Sequence, residues 1–372
     1  MYKILAFGTG QFADRYLSLC EPRIHELHGD FKIVGYLDND KRKQGQIYRG
    51  KQVYIPSEGL QMDYDEIAVF TNRQAYQQIR YQLCELFSVP LTQVHYYTWY
   101  LKQCYIRRYA DSKDSEVQAL VKYWHNHDIS MYNLYGVGAE NHKYYEVFDD
   151  EKTGLPYIWL ENAMGSNSKL YYPIDWGFFI LDGYNRCMVD VLGEQNEHSP
   201  HKYTKVGHEV SEGDIVVDAG TCEGNFALYW AEHASKIYLF EPDAHWQKAL
   251  HYTFAPYEHK TVLFDKAIGE KTGVRTISLD AAIDGTVDFL KMDVEGEETS
   301  ALRGGAELLQ RSRAKCSICS YHRYEDKQEI TEILLSLGYR ASTSKGFLTS
   351  PELSSIWEHC DLRRGMIYGC KS

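Results

Sequence analysis

The side chains best suited to acid–base chemistry stand in the short segment 288–298 and around residue 322. Asp293 directly follows an apolar run that is typical of a buried strand, and ligands of open α/β sheets bind where such strands end. Asp293 is therefore the first candidate for a general base or a metal ligand, and Glu295 is the second. Lys291 lies on the same strand edge, where it would keep Asp293 ionised or bind an anionic acceptor. His322 ends the next strand and is the expected partner of Asp293.

Two interpretations of this group stay open. In one, Asp293 itself removes a proton from an acceptor. In the other, Asp293 holds a divalent metal, with Glu295 and His322 as further oxygen and nitrogen ligands. Glu295 also has a structural alternative, because a glutamate in the first turn of a helix stabilises the helix dipole whatever the chemistry.

The run from Ile215 to Asn225 predicts a strand, a glycine loop and the start of a helix, and 238–243 predicts the next strand. Glu241 ends that second strand, where a carboxylate can accept both hydroxyls of an adenosine ribose. The loop reads D-x-G-x-x-x-G and lacks the G-x-G-x-x-G spacing with which a helix N-terminus receives a pyrophosphate. The pattern therefore favours a nucleoside ligand without phosphates, and S-adenosylmethionine is that ligand.

The predicted contacts with this cofactor come from the glycine loop and from the ends of the second and third strands. Because Gly220 and Gly224 lack Cβ atoms, we expect the ligand to lie against their backbone. Asp265 or Lys266, at the end of the third strand, is expected to flank the adenine. The full predicted set is Asp218, Gly220, Thr221, Glu223, Gly224, Asn225, Glu241, Pro242, Asp243, Asp265 and Lys266.

Three motifs of the C-terminal half are together similar to one known family. They are the FEPD stretch at 240–243, the K-x-D-x-E-G-x-E pattern that begins at Lys291, and LRGGA at 302–306. On these motifs, roughly residues 190 to 370 resemble the FkbM family of S-adenosylmethionine-dependent methyltransferases. The glycine loop departs from the family pattern G-A-N-x-G, because this chain has Gly-Thr-Cys-Glu-Gly at 220–224.

The resemblance implies a class I methyltransferase domain, with a seven-stranded α/β sheet and S-adenosylmethionine as cofactor. It also implies O-methylation of a hydroxyl, in bacteria most often on a sugar of a surface glycan or on a secondary metabolite. In this class the segment before the first strand folds over the cofactor, so Glu194, His201 and Tyr203 are candidates for contact with the methyl group or the acceptor. The alternative is that Glu194, His198 and His201 only cap and solvate a lid helix.

The first hundred residues predict a second, smaller α/β unit. Its strands are expected at 2–7, 32–37, 66–70 and 94–96. A G-x-G-x-x-A turn with Gly8 and Gly10 follows the first strand, and Asp38 ends the second, as in dinucleotide-binding folds. The unit resembles the N-terminal Rossmann-like domain of bacterial sugar-modifying enzymes. It is expected either to bind a nucleotide or nucleotide-sugar or to be a structural relic.

An aromatic-rich segment connects the two α/β units. It contains a predicted amphipathic helix at 115–127, with Asp114 among its candidate caps, and a predicted hairpin between 144 and 160. Its many tyrosines are expected to pack against neighbouring strands more than to stack on sugars. The expected domains are a Rossmann-like domain at 1–105, the connecting region and lid at 106–205, and the methyltransferase domain at 206–372.

Charge and composition exclude two classes of partner. The 372-residue chain has a formal net charge of -12, and no cluster of lysine and arginine is large enough to bind a nucleic-acid backbone. The sequence contains no run of about 18 apolar residues, so no membrane span is predicted. The nine cysteines come without a secretion signal, so we expect reduced thiols in a cytoplasmic protein, with Cys316 and Cys319 as apolar residues of a strand.

The sequence leaves the acceptor open and is compatible with two other functions. An NAD(P)-dependent oxidoreductase acting on a sugar nucleotide would use the N-terminal glycine turn, but it leaves the segment 291–298 unexplained. A non-catalytic nucleotide-binding module would make both nucleotide folds relics. Methyl transfer itself requires that the acceptor be aligned with the S–CH3 bond and that its hydroxyl proton be removed.

Overall fold

A computed structural model describes residues 2–17, 31–127, 144–176, 179–181, 185–189, 195, 199–348 and 362–371. The chain forms two compact units. One comprises Met1–Asn133 with Thr349–Leu362, and the other comprises Leu134–Leu348 with Arg363–Ser372. The last ten residues of the chain therefore belong to the second unit.

The N-terminal unit contains a six-stranded sheet. Its strands are β1 Tyr2–Phe7, β2 Phe31–Leu37, β3 Ile47–Tyr48, β4 Lys51–Tyr54, β5 Glu66–Val69 and β6 Val94–Tyr96. They are ordered β3-β4-β2-β1-β5-β6, and every neighbouring pair except β3 with β4 is parallel. Ile4, Leu5 and Ala6 of β1 are fully buried, as expected of a parallel strand that is covered on both faces. The predicted smaller α/β unit is present.

Helices complete this unit at 11–17, Pro56–Gly59, Arg73–Phe87, Tyr97–Tyr109 and Ser115–Asn126. Asp114 caps the last helix, because its carboxylate accepts hydrogen bonds from two backbone N–H groups of the first turn. The rings of Tyr105 and Trp124 lie 5.5 Å apart, so the last two helices pack on each other. The predicted boundary at residue 105 thus falls inside a helix, and 115–126 joins the compact N-terminal unit.

Six short strands precede the main sheet of the second unit. They are β7 Tyr144–Glu146, β8 Phe148–Asp150, β9 Leu155–Glu161, β10 Asn167–Tyr171, β11 Phe179–Leu181 and β12 Asn185–Val189. Two antiparallel three-stranded sheets result, ordered β10-β9-β8 and β11-β12-β7. The predicted hairpin is the pair of β8 and β9, whereas β7 pairs with β12. Tyr171 packs against Tyr157 and Tyr252, in line with the packing role expected for the tyrosines.

The main sheet of the second unit has seven strands. They are β13 Ile215–Ala219, β14 Lys236–Phe240, β15 Thr261–Phe264, β18 Phe289–Met292, β19 Lys315–Cys319, β20 Arg340–Thr343 and β21 Met366–Cys370, while β16 Ala267–Ile268 and β17 Thr276–Ile277 form a separate pair. The order is β15-β14-β13-β18-β19-β21-β20. Only β21 among these strands runs antiparallel to its neighbours. This is the sheet expected of a class I methyltransferase, and the predicted fold class is confirmed.

Both faces of this sheet are covered. Val216 belongs to the core on one face, and its neighbour Val217 belongs to the core on the other. Cys316 and Cys319 of β19 are fully buried, as expected of apolar strand residues. The covering helices include Asn225–Tyr229, Ala244–Thr253, Leu279–Ala282, Glu298–Arg303, Ala306–Arg311 and Asp326–Ser336. None of the helices in the described part of the chain has the length and apolar character that crossing a bilayer requires.

His208 makes the stability of this unit dependent on pH. Its ring is buried against Phe289 and Tyr368, and Nε2 lies 3.2 Å from a backbone carbonyl of β19. Burial, assisted by the charge of Lys205, lowers the pKa of His208 to about 4. Protonation therefore favours the unfolded chain, and the stability present at pH 7 is lost as the pH falls from about 6.5 toward 4.

We expect His208→Gln to reduce this acid sensitivity, because glutamine keeps a donor for the carbonyl but does not titrate. The wild-type protein should lose up to about 3 kcal/mol more unfolding free energy than the variant between pH 7 and pH 4. Urea unfolding of both proteins at several pH values measures this difference. Equal pH dependence of the two proteins would contradict it.

Candidate functional site

A cavity of about 490 Å³ lies at the carboxyl ends of β13, β14 and β18. Parallel sheets bind ligands at this edge. Its wall comes from the glycine loop after β13, the segment after β14, strand β16 and the segment after β18. Most of the predicted cofactor residues line it, namely Gly220, Thr221, Glu223, Asn225, Glu241, Pro242 and Asp243.

Glu241 is held rigidly at the end of β14. One carboxylate oxygen accepts a hydrogen bond from the backbone N–H of Cys222 at 2.8 Å, and the other accepts from that of Asp243 at 2.9 Å. Burial raises the pKa of Glu241, while these two N–H groups favour its ionised form. Each oxygen keeps a second lone pair, so the carboxylate can accept two hydroxyls of a ribose that enters the cavity.

Gly220 and Gly224 of the loop lie so close to neighbouring segments of the protein that a side chain would clash with them. A Cβ atom on Gly220 would lie 1.7 Å from the carbonyl oxygen of Asp293, and one on Gly224 would lie 2.7 Å from the side chain of Leu250. Both glycines have positive φ values. The missing Cβ atoms therefore let the loop pack against the segment after β18 and against helix Ala244–Thr253. Gly220 also lines the cavity, so contact of a ligand with its backbone stays a prediction.

We expect Gly220→Ala to destabilise the fold by about 3 kcal/mol or more, because the new methyl group meets backbone that cannot rotate away. Gly213→Ala is the matched control, since Gly213 has a φ of 84° but nothing within 4 Å of its Cβ position. The control should lose about 1 kcal/mol. Chemical denaturation measures both changes, and equal losses would refute the packing role of Gly220.

Asp218 and Lys291 form a buried ion pair between adjacent strands. Lys291 Nζ lies 2.9 Å from Asp218 Oδ1, and it also donates to the carbonyl oxygen of Gly220. Asp218 is fully buried and does not line the cavity, so it supports the loop through its ion pair with Lys291. Burial opposes the charge of Lys291, but Asp218 and Asp293 outweigh it and raise the lysine pKa. Lys291 reaches the cavity wall already paired, which does not favour its predicted role of binding an anionic acceptor.

Asp293 follows β18 and is contacted from three directions. The hydroxyl of Tyr203 donates to Oδ2 at 2.8 Å, His201 Nε2 lies 3.5 Å from the same oxygen, and His322 Nε2 lies 3.6 Å from Oδ1. Burial opposes the charge of Asp293, but His201, Lys291 and His322 outweigh it and hold the pKa of Asp293 far below its usual range. The carboxylate is therefore ionised at neutral pH, which makes it a good anchor for cations and a weak base.

His322, at the end of β19, lies between several carboxylates. Its Nδ1 is 2.9 Å from Glu298 Oε1, and its Nε2 is 3.5 Å from Glu295 Oε2. Burial lowers the pKa of His322, but Glu298, Asp293 and Glu295 outweigh burial and raise it. The side chain of Glu295 is 85% exposed, whereas that of Glu298 is fully buried. The structure thus brings together Asp293 and His322 as predicted and adds Glu298 to them.

His201 and Tyr203 lie beside Asp293, although they precede it by about ninety residues of sequence. Tyr203 lines the cavity, while His201 is buried behind it, with Nε2 3.2 Å from Cys319 Sγ. Glu194 and His198, the other residues considered for the lid, lie outside the described residues.

Two predicted adenine contacts lie away from the cavity wall. Asp265 is exposed, and Lys266 donates to the carbonyl oxygen of Gly273. The next two residues, Ala267 and Ile268, line the cavity in their place. The residues in the wall are thus two positions later in the chain than the predicted ones. The chain turns between β15 and β16, and the apolar pattern of the sequence does not show this turn.

The N-terminal glycine turn has a different environment. Gly8 has a φ of 109°, and a Cβ atom there would lie 2.7 Å from a backbone carbonyl oxygen, whereas Gly10 faces open space. Asp38 Oδ2 accepts from the backbone and hydroxyl of Thr9 and from Lys43 Nζ at 2.8 Å. These bonds, with Lys43 in particular, lower the pKa of Asp38 against the effect of burial. Asp38 therefore already binds the turn, and a ribose would compete with Thr9 and Lys43 for it.

Several residues at this site were not among those predicted from the sequence. Glu298 is the last glutamate of the K-x-D-x-E-G-x-E motif, so the motif itself was an available signal. Unpredicted residues of the cavity wall include Trp176, Trp246 and Tyr321. Tyr321 adjoins the predicted His322, but nothing in the local pattern distinguishes the two tryptophans from ordinary core residues.

Comparison with known families matches both parts of the chain. Residues 197–341 match the family described as Methyltransferase FkbM domain, and residues 1–94 match the family described as C2185-like, N-terminal. No curated protein matches the sequence.

Solved structures similar to this chain include several methyltransferases. The methyltransferase FkbM from Methylobacillus flagellatus is 15% identical with a TM-score of 0.43, over 99% of this chain and 90% of that chain. The magnesium protoporphyrin IX methyltransferase from Synechocystis, solved with bound S-adenosylmethionine, is 14% identical with a TM-score of 0.30, over 43% of this chain and 71% of that one. The fibrillarin pre-rRNA processing protein from Methanococcus jannaschii is 12% identical with a TM-score of 0.33, over 62% of this chain and 98% of that chain.

Proposed function

This chain carries a methyltransferase domain of the FkbM family over residues 197–341, and on that premise we propose that it transfers the methyl group of S-adenosylmethionine to a hydroxyl of an uncharged, sugar-like acceptor. One observation carries the proposal. The cavity that contains the fixed carboxylate of Glu241 continues to Asp293, so a nucleoside site and a polar reaction site share one space. Cytoplasmic residence, expected from the sequence, stays part of this proposal.

The charge of the cavity supports the choice of cofactor. S-adenosylmethionine carries a sulfonium and an ammonium group against a single carboxylate, so it is a net cation. The carboxylates that line the cavity are those of Glu223, Glu241, Asp243, Asp293, Glu295 and Glu297. Lys291 is the one basic side chain among the described residues of the wall, and it is paired with Asp218. A negative cavity attracts a cationic cofactor and releases the neutral thioether product more readily.

The same charge argues for an acceptor without phosphate or carboxylate groups. Among the described side chains of the wall only Lys291 could offset an anionic acceptor, and it is paired with Asp218, so the carboxylates of Asp293 and Glu295 would repel such an acceptor. Tyr203, Tyr321 and Trp176 offer aromatic faces on the wall, and such faces stack on the C–H faces of sugars. A neutral sugar hydroxyl is therefore the acceptor that fits the wall best.

Alignment supplies the larger part of the catalysis, because the sulfonium is already a strong electrophile. The acceptor hydroxyl still has to lose its proton. Asp293 is ionised but weakly basic, so it serves better to hold the acceptor, Tyr203 and His322 in place than to take the proton alone. Proton removal then falls to a direct base at this site or to a bound divalent cation.

Binding measurements separate this proposal from its two rivals. We expect isothermal titration of the full chain to show binding of S-adenosylmethionine and S-adenosylhomocysteine in competition with each other. Binding of NAD without either of these ligands would favour the oxidoreductase. Binding of neither cofactor would favour a non-catalytic module. UDP binding that leaves S-adenosylmethionine affinity unchanged would support a nucleotide or nucleotide-sugar site in the N-terminal unit.

The acceptor class is tested by transfer of a labelled methyl group. Neutral glycosides are compared with the matching sugar phosphates and uronic acids, with mass spectrometry to locate the new methyl group. We expect transfer to a hydroxyl of a neutral sugar. Transfer confined to the phosphorylated or acidic sugars would overturn the acceptor proposal while leaving the cofactor assignment intact.

A further inference from the structure

Three side chains meet beside the cavity at the ends of β18 and β19. Asp293, Glu298 and His322 each offer one ligand atom, and these atoms all lie within 4.8 Å of one another. Glu298 is fixed in place, because its Oε1 accepts from the backbone N–H of Val294 at 3.0 Å. The cluster therefore comes from three positions that the fold holds still.

Two carboxylate oxygens of this cluster are buried without a hydrogen-bond donor among the described residues. They are Asp293 Oδ1 and Glu298 Oε2. Glu298 is fully buried, so water does not solvate its oxygen. A carboxylate oxygen that is removed from water without a donor costs several kcal/mol, and native proteins seldom retain two such atoms in one cluster. A ligand with positive charge satisfies both.

We propose that Asp293, Glu298 and His322 bind a divalent cation of the Mg²⁺ or Mn²⁺ class. Two carboxylates and one imidazole are the oxygen and nitrogen donors that such ions accept, with water or substrate completing the shell. The ligand set differs from the one expected from the sequence. Glu298 takes the place of Glu295, whose side chain is largely exposed at the cavity rim.

A second cluster shares Asp293 and would suit a softer ion. His201, Asp293 and Cys319 also bring their ligand atoms within 4.8 Å. There the Asp293 oxygen already accepts from Tyr203 at 2.8 Å, and the sulfur lies 3.2 Å from His201 and 3.6 Å from Met366. These contacts satisfy the second cluster without an ion, so the first cluster is the favoured one.

The role of the cation rests on the proposed methyl transfer. A divalent cation at Asp293 adjoins the cavity, where it binds the acceptor hydroxyl and lowers its pKa. The hydroxyl proton passes to a water molecule in the cavity. The acceptor oxygen then forms the O–CH3 bond, while the S–CH3 bond breaks and leaves its electron pair on sulfur, giving S-adenosylhomocysteine. Asp293 alone is too weak a base to remove the hydroxyl proton, and the bound cation makes the removal possible by lowering the pKa of the hydroxyl.

Titration of the full chain with Mn²⁺, followed by electron paramagnetic resonance of the free ion, tests the site without any need for activity. We expect the wild-type protein to bind one Mn²⁺ that Mg²⁺ displaces. Glu298→Gln and His322→Gln should each weaken binding tenfold or more. Glu295→Gln is the matched control with the same loss of charge, and it should bind within threefold of the wild-type protein.

Circular dichroism and thermal unfolding establish that each variant is folded. If Glu298→Gln does not fold, the Mn²⁺ affinity of His322→Gln alone tests the site. Absence of Mn²⁺ binding at millimolar concentration would overturn the site, and so would unchanged affinity in His322→Gln. Preference for Zn²⁺ that is lost in Cys319→Ser would overturn it in favour of the second cluster. Mn²⁺ binding through these ligands without S-adenosylmethionine binding would uphold the site and refute the proposed function.

Discussion

Replacing Asp293 with asparagine is expected to lower turnover by about 10² to 10⁴ while leaving S-adenosylmethionine affinity nearly unchanged. The carboxamide keeps the shape of the side chain and loses its charge. The variant therefore loses the electrostatic attraction to His322 and to any bound cation. It also directs an N–H group toward the hydroxyl of Tyr203 or the ring of His201. We expect the cofactor to bind at Glu241, whose carboxylate is held by the N–H groups of Cys222 and Asp243 rather than by Asp293, so the loss should appear in kcat.

Asp288→Asn is the matched control, because Asp288 precedes the same strand at its opposite end and accepts a hydrogen bond from Ile215 N that asparagine can still accept. Its turnover should stay near that of the wild-type protein. Methyl transfer with labelled cofactor measures turnover, and titration measures affinity. Wild-type turnover of Asp293→Asn on the true acceptor would place catalysis elsewhere, with His201 and Tyr203 as the leading candidates.

The role of His322 follows from the same experiment. If His322 and Asp293 act as a unit, the variant with both Asp293→Asn and His322→Ala should be no slower than the slower single variant. Activity that EDTA removes and a divalent cation restores would assign the unit to a metal. Activity that is indifferent to EDTA would assign it to a direct base.

Glu241→Ala should weaken S-adenosylmethionine binding a hundredfold or more. Two ribose hydroxyls donate to an ionised acceptor, and each such hydrogen bond contributes about 1.5 to 3 kcal/mol. The structure adds a second contribution, because the alanine variant also leaves the N–H groups of Cys222 and Asp243 without their acceptor. Glu241→Gln separates the two effects, since the amide oxygen still accepts from one of these N–H groups.

Asp265→Ala provides the control for this prediction. Asp265 was expected at the adenine from the sequence, yet it is exposed outside the cavity, so its loss should leave affinity unchanged. Titration calorimetry on the three variants measures the differences. Wild-type affinity in Glu241→Ala would refute the cofactor site, and a large loss in Asp265→Ala would restore Asp265 to it.

Local sequence patterns predicted buried strands of the C-terminal unit and the edge of the sheet at which the candidate site lies. Apolar runs such as Val216 and Val217 predict strands that are buried on both faces, and parallel strands necessarily bring their carboxyl ends to one edge. Glu241 and Asp293 each follow such a run, so their presence in one cavity could be predicted from local patterns alone.

Local patterns do not show which polar groups face the cavity and which are paired with each other. Lys291 is paired with Asp218, Gly220 makes room for the backbone of Asp293, and Glu298 rather than Glu295 is buried against His322. Each of these outcomes depends on contacts between segments that lie far apart in the sequence. The charge and space around a side chain are set by those distant neighbours, and a local motif shows the residue types but not the partners that neutralise them.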